Sequence, residues 1–177
     1  GIMLYCLVRK YEPETLVETG VCNGASSAFL LQAIDDNQKG KLYSIDYSEV
    51  ADKEYDEGEF WEGKGGAAIP ADKTSGWMIP EELKENWELI LGKSQDKMPP
   101  LMEELQQIDF FMHDSEHTYD TMMLEFEEAN KVLSEGGLLV SDNIRANQSF
   151  DDFCAQYGLM PFEFSPGMGI ALENNGV

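Results

Sequence analysis

A glycine-containing loop joins a buried strand to a helix in the segment Val17-Glu18-Thr19-Gly20-Val21-Cys22-Asn23-Gly24-Ala25-Ser26-Ser27. Gly20 allows a tight turn, and Gly24 allows the loop to pack close to a bound ligand. A dinucleotide site would instead carry the spacing GxGxxG, with the pyrophosphate at the helix N-terminus. The Glu18 carboxylate would repel a pyrophosphate but suits a ligand that carries ammonium and sulfonium charges. The segment therefore predicts a site for a cationic ligand, with an ordinary strand-to-helix turn as the alternative.

Apolar runs of strand length alternate with helical patterns along the rest of the chain, which predicts parallel strands joined by crossover helices. The predicted strands are 15–18, 41–46, 88–92, 108–114 and 138–142, followed by a hairpin around Phe162 and Ile170. The predicted helices are 26–34, about 100–105, a helix capped by Thr118 and stopped by Gly136, and 149–157. We therefore predict an α/β fold: a Rossmann-like three-layer sandwich with a mostly parallel open sheet and a C-terminal antiparallel hairpin.

The 177 residues fit one domain, interrupted by an irregular insert at about 47–79. The insert is rich in glycine, acidic and aromatic residues, including Trp61 and Trp77. A long loop without regular structure is typical of a lid, a binding loop or a mobile segment. The insert could close over an apolar or ring-shaped acceptor or serve as a packing flap.

The charge balance excludes some classes of partner. The chain has 34 acidic and 12 basic residues, a formal net charge of -22, so it would repel nucleic acid. Its apolar runs are shorter than the roughly 18 residues that a membrane span needs. The three cysteines are scattered, which is typical of reduced thiols in a cytoplasmic protein. The expected partner is a small molecule; a homodimer is an open alternative.

Acidic side chains end four of the five predicted parallel strands: Glu18, Asp46, Asp114 and Asp142, the last followed by Asn143. In an open parallel sheet, ligands bind beyond the carboxyl ends of the strands. A carboxylate at the end of the second strand can accept both ribose hydroxyls of a nucleoside. Asp46 therefore predicts a ligand that contains adenosine or a similar nucleoside, although it could simply start a loop.

Two further segments support a resemblance to a known family. The segment 92–101, GKSQDKMPPL, resembles the adenine-contacting segment of catechol O-methyltransferase-type enzymes. Asp114 and the run Ser141-Asp142-Asn143 fall where those enzymes hold their metal ligands. The phrase DSEHTY at 114–119 is also similar to the broader family of small class I S-adenosylmethionine-dependent methyltransferase domains. The match runs from about Glu14 to Arg145.

The resemblance implies a role for each matching residue. Glu18, Gly20, Gly24 and Ser26 would line the methionine part of S-adenosylmethionine, and Thr19 and Asp114 also belong to the predicted donor-binding set. Asp46 would hold the ribose, and Ser94 and Gln95 would contact adenine. Asp114, Asp142 and Asn143 would coordinate a divalent cation, with Mg²⁺ expected.

The predicted metal site also agrees with coordination chemistry. Two carboxylates and a carboxamide oxygen, completed by water and substrate oxygens, make the octahedral shell that Mg²⁺ prefers. The alternative is structural: Asp142 and Asn143 start a loop, and Asp114 caps the helix that follows Thr118.

His117 marks a departure from the catechol-type pattern, which has a lysine base three residues after the first metal aspartate. A histidine can accept a proton near neutral pH, so we predict His117 as the catalytic base. It could instead be a metal ligand or a helix cap. Nearby acids would favour the imidazolium form, which would weaken a base.

The sequence thus predicts an S-adenosylmethionine-dependent methyltransferase that carries out metal-assisted O-methylation of a small hydroxylated molecule. Two alternatives stay open: a metal-independent methyltransferase, and a non-catalytic S-adenosylmethionine-binding module. A DNA amino-methyltransferase is disfavoured, because the Ser-Asp-Asn-Ile run at 141–144 lacks the proline-aromatic pair that grips a flipped base.

Overall fold

The structure is a computed structural model that describes residues 1–63 and 68–173. The strands in this part of the chain are β1 Thr15–Thr19, β2 Lys41–Asp46, β3 Glu49–Val50, β4 Ala68–Ile69, β5 Trp87–Leu91, β6 Ile108–His113, β7 Leu133–Ser141, β8 Leu159–Ser165 and β9 Met168–Glu173. The helices are α1 Ile2–Tyr11, α2 Ala25–Asn37, α3 Ser94–Leu105, α4 Tyr119–Asn130 and α5 Ser149–Tyr157, with a 3₁₀ helix at Glu81–Asn86.

Seven strands form one sheet in the order β5-β2-β1-β6-β7-β9-β8. The pairs from β5 through β7 are parallel, while β9 pairs antiparallel with both β7 and β8. The predicted mostly parallel sheet with a C-terminal antiparallel hairpin is confirmed. From β1 the chain proceeds to β2 and β5 on one side, and later to β6 and β7 on the other. This reversal places a crevice at the carboxyl end of β1, the usual ligand position in such sheets.

Helices cover both faces of the sheet and give the predicted three layers. One apolar core lies between the sheet and α1, α2 and the 3₁₀ helix; the other lies between the sheet and α3, α4 and α5. Alternate residues of β6 enter opposite cores: Phe110 and Met112 face the first, and Phe111 faces the second. Burial on both faces explains why the strands are continuous apolar runs.

Helix α3 begins at Ser94, so the predicted start near Pro100 is wrong. Proline favours the first turn of a helix. Here Pro99 and Pro100 lie inside the helix, although each removes one backbone hydrogen bond. Burial of the α3 face that contains Met98 and Leu101 offsets that loss, because packing supplies most of a helix's stability.

The predicted end of α4 at Gly136 is also wrong, because the helix ends at Asn130 and β7 starts at Leu133. Leu133 pairs with Ile108 of β6, so sheet pairing begins before the glycine. Gly136 has a φ of 76° and lies in an irregular part of β7. The apolar residues Val132 and Leu133, which come after Asn130, pack against the core but are not part of the helix.

The insert at 47–79 contains a short parallel pair, β3 with β4, and otherwise consists mainly of turns in its described part. Its residues 64–67 lie outside the described residues. Within the described ranges, none of the helices combines the length and apolar character needed to cross a lipid bilayer.

Candidate active site

A cavity of about 730 Å³ opens at the carboxyl ends of the parallel strands. Its wall brings together residues at or just after the carboxyl ends of five strands of the large sheet, with Phe60 and Trp61 of the insert. The predicted site residues that line it are Gly20, Asp46, Ser94, Gln95, Asp114, His117 and Asn143. The other predicted residues lie outside this lining set: Glu18, Thr19, Gly24, Ser26 and Asp142.

The loop after β1 depends on glycine at Gly20. Its φ is 86°, and a Cβ atom there would lie 1.9 Å from the carbonyl oxygen of Asp114. The ends of β1 and β6 are joined at this point, since the Asp114 backbone N–H donates to the Thr19 carbonyl at 2.9 Å. Only glycine, which has no side chain, allows this close approach. The approach holds the loop after β1 beside Asp114, the acid that follows β6.

Asp46 at the end of β2 organises the same loop. Its Oδ1 accepts hydrogen bonds from the backbone N–H groups of Val21, at 2.8 Å, and Cys22, at 3.1 Å. Its Oδ2 accepts hydrogen bonds from the hydroxyls of Ser48 and Ser75. The carboxylate predicted to hold a ribose therefore also fixes the loop, and two serine hydroxyls occupy its second oxygen.

Glu18 lies in the sheet beneath the cavity wall and is only 1% exposed. Its Oε1 accepts a hydrogen bond from the Ser44 hydroxyl at 2.6 Å, across the β1–β2 pair. Burial raises the pKa of Glu18 to about 7, and the neighbouring Ser27 and Ser44 hydroxyls offset only part of that rise.

The predicted adenine segment forms the start of α3. The Ser94 side chain is buried and its hydroxyl contacts the Glu125 carboxylate. The Gln95 amide donates to the Thr121 hydroxyl at 2.8 Å. Both residues line the cavity, and each is held by a partner on α4.

Three side chains converge beside the ends of β6 and β7. Potential ligand atoms of Asp114, His117 and Asp142 all lie within 4.8 Å of one another. His117 Nε2 is 3.9 Å from Asp114 Oδ1 and 3.3 Å from the side-chain nitrogen of Asn143. Burial and the adjacent Asp142 carboxylate raise the pKa of Asp114 well above its ordinary range. Two acids that repel each other in this way favour a bound proton or cation between them.

The expectation that acids would favour the imidazolium form of His117 is wrong. Burial, followed by the charge of His113, lowers the pKa of His117, and these effects outweigh the opposing effects of Asp142 and Glu125. The neutral imidazole is therefore favoured near neutral pH. A neutral imidazole can accept a proton or bind a metal.

A buried network under the site was not predicted from the sequence. Glu125 on α4 is fully buried and accepts hydrogen bonds from Thr19, His113 and Ser115. The contact between Glu125 Oε2 and His113 Nδ1 is 2.6 Å. The charge of His113 and the surrounding donors hold the pKa of Glu125 below its usual range in spite of burial. The available signal was its position, three residues after Met122 and four before Ala129 on the apolar helix face.

Comparison with known proteins agrees with this architecture. A family model described as a methyltransferase domain matches residues 17–144. No curated protein is significantly similar to the chain in sequence.

Several solved structures share the fold at low sequence identity. The O-methyltransferase TomG from Streptomyces achromogenes, in complex with S-adenosylmethionine, is 19% identical with a TM-score of 0.65, covering 97% of this chain and 78% of that one. The Podospora anserina methyltransferase PaMTH1, bound to S-adenosylhomocysteine, is 12% identical with a TM-score of 0.62, covering 97% and 76%. An O-methyltransferase from Bacillus cereus is 15% identical with a TM-score of 0.58, covering 97% and 79%.

The family model spans well over half of the chain, and it includes the loop after β1, the acid at the end of β2 and the acids after β6 and β7. The chain belongs to this methyltransferase-domain family and is a class I S-adenosylmethionine-dependent methyltransferase.

Proposed function

We propose that the protein transfers a methyl group from S-adenosylmethionine to a hydroxyl oxygen of a small molecule in the cytoplasm, with assistance from a divalent cation. One observation carries the proposal: Asp114, His117 and Asn143 line the same cavity as Gly20 and Asp46. A proton acceptor and a set of oxygen ligands therefore share one space with the predicted donor site. The acceptor would enter beside Asp114, at the end of the cavity away from Asp46.

In the proposed reaction, the acceptor oxygen attacks the methyl carbon of the sulfonium donor. A C–O bond forms as the C–S bond breaks, and the electron pair of that bond stays on sulfur. The acceptor hydroxyl proton passes to His117 Nε2, and the products are a methyl ether and S-adenosylhomocysteine. Because the displacement is in line, alignment of oxygen, carbon and sulfur supplies much of the rate.

The residues beside β6 and β7 fit a divalent cation. Asp114 and Asp142 provide two carboxylates, and their mutual repulsion would be relieved by a positive ion. The predicted third ligand is Asn143, while the imidazole of His117 is an alternative within reach of both acids. A bound cation would lower the pKa of an acceptor hydroxyl. Carboxylate and amide oxygens suit Mg²⁺, and an imidazole nitrogen would extend the choice to Mn²⁺ or Fe²⁺.

Binding of the donor and of the cation can be tested separately. Calorimetric titration of the protein with S-adenosylmethionine should give binding without Mg²⁺, and Mg²⁺ or Mn²⁺ alone should bind the wild type but not Asp142→Ala. Methyl transfer is then screened with labelled donor against phenols, catechols and sugars.

Each result bears on a different part of the proposal. Absence of donor binding would contradict the whole proposal. Donor binding with no cation binding, together with full transfer activity of Asp142→Ala, would leave a metal-independent methyltransferase. Donor binding with no transfer to any hydroxyl compound would contradict O-methylation.

A further inference from the structure

Three aromatic side chains of the insert line the donor cavity: Tyr47, Phe60 and Trp61. Their rings form one cluster, with centroid distances of 5.5 Å between Tyr47 and Phe60 and 4.9 Å between Phe60 and Trp61. Tyr47 directly follows Asp46, and the Lys93 ammonium lies 4.8 Å from the Phe60 ring centre. The cluster therefore lies between the ends of β2 and β5.

This position separates the insert from the cluster of Asp114, His117 and Asp142. In the sheet, β5 and β2 lie on one side of β1, while β6 and β7, which precede the three polar residues, lie on the other. An aromatic wall beside Asp46 borders the half of the cavity in which a ribose would be held.

The carboxyl end of the insert is attached to the loop after β1. The backbone N–H of Gly76 donates to the Cys22 carbonyl at 2.8 Å, and that of Met78 donates to the Asn23 carbonyl at 3.1 Å. The Trp77 indole N–H donates to the Asn23 side-chain oxygen at 2.6 Å. Together with the Ser75 hydroxyl on Asp46, these bonds couple the position of the insert to the two elements that would hold the donor.

We infer that the insert is the adenine-binding wall of the donor site, with Trp61 as its main contact; this rests on the donor of the proposed function. Aromatic rings stack on purines, and they do so without needing a particular hydrogen-bond pattern. Trp61 lines the cavity on the side of Asp46, the position that a stacking contact with the adenine of a bound donor would need. The insert thus contributes to binding of the donor through its adenine ring.

The test measures binding of S-adenosylhomocysteine and 5′-methylthioadenosine, which share the adenosine part, by calorimetry. Trp61→Ala should weaken both ligands by about tenfold or more, the usual effect of removing one base-stacking ring. Trp61→Phe, which keeps a ring, should lose less affinity. Binding should also change the tryptophan fluorescence of the wild type, and this change should be much smaller in Trp61→Phe.

Phe162→Ala is the matched control, because it removes an exposed aromatic ring on β8, far from the cavity in the sheet order. It should bind both ligands like the wild type. Wild-type affinity in Trp61→Ala, with both ligands bound by the wild type, would overturn the inference and leave the methyltransferase function intact. Failure of the wild type to bind either ligand would contradict the proposed function itself. If Trp61→Ala and the wild type have equal melting temperatures, a loss of affinity in the variant is local to the site. If Trp61→Ala unfolds, the affinity and the fluorescence change of Trp61→Phe test the inference instead.

Discussion

Gly20 shows how a single residue can fix the geometry of the donor site. Its positive φ and the 1.9 Å approach to the Asp114 carbonyl leave no room for a methyl group. Gly20→Ala should therefore destabilise the protein by about 3 kcal/mol or more, since backbone strain and overpacking add. Denaturant unfolding measures the loss.

Gly58 offers a matched control for Gly20. Its φ is 88°, nearly the same, but nothing lies within 4 Å of a Cβ placed there. Gly58→Ala should cost only the backbone strain, about 1–2 kcal/mol. Equal losses in the two variants would show that the contact with Asp114 contributes nothing.

The buried surroundings of Glu18 change the pKa of its carboxyl group, and this change can be measured. Its pKa rises from an ordinary 4.5 to about 7 because the carboxyl is buried. The folded state therefore binds the proton more tightly than the unfolded state. The stabilisation of the folded state that this tighter proton binding contributes is fully present below pH 4.5 and is lost as the pH rises through about 7. The shift corresponds to about 3 kcal/mol.

Glu18→Gln should remove this pH dependence, because the amide keeps the shape of the protonated acid and does not ionise. The melting temperature of the variant should be close to that of the wild type at pH 5 and should exceed it at pH 8. If the difference in melting temperature between the variant and the wild type were constant from pH 5 to pH 8, this would contradict a raised pKa at Glu18.

At the scale of elements, Glu125 joins α4 to β1 and β6 through the Thr19 hydroxyl and the His113 ring. Glu125→Ala should destabilise the protein by about 3–5 kcal/mol, because it leaves His113 buried without its partner. Glu125→Gln, which keeps an acceptor oxygen, should lose less. Unfolding of both variants is compared with that of Glu127→Ala, which alters the solvent-facing side of the same helix. A loss in Glu125→Ala no larger than in Glu127→Ala would show that the network does not stabilise the packing of α4.

At the scale of the whole molecule, the net charge of -22 implies strong self-repulsion in the compact state. Salt screens such repulsion, since the Debye length falls from about 30 Å at 0.01 M to about 3 Å at 1 M. The melting temperature should therefore rise between 10 mM and 500 mM NaCl. Choline chloride should raise it equally if screening is the cause. A melting temperature that does not change with either salt would contradict the argument.

Much of the fold follows from local patterns in the chain. Strand β2 and helix α5 have the predicted bounds, because apolar periodicity and flanking turn residues act over a few neighbouring residues. The predicted start of α3 and the predicted end of α4 are wrong for the opposite reason. Pro100 is a local start signal and Gly136 a local stop signal, but core packing overrides the first and pairing with β6 overrides the second.

The sequence alone determined that this chain is an open parallel α/β sheet with a glycine loop after β1 and acids at several strand ends, since periodicity and residue type are local properties. The strand ends already predicted Asp114 and Asp142 at one site, but only the tertiary structure decided that the His117 side chain joins them within 4.8 Å and that Glu125 lies beneath them. It also decided that the insert borders the Asp46 side of the cavity. These relations join residues far apart in the chain, and they depend on how helices and loops pack across the sheet, which no local pattern encodes.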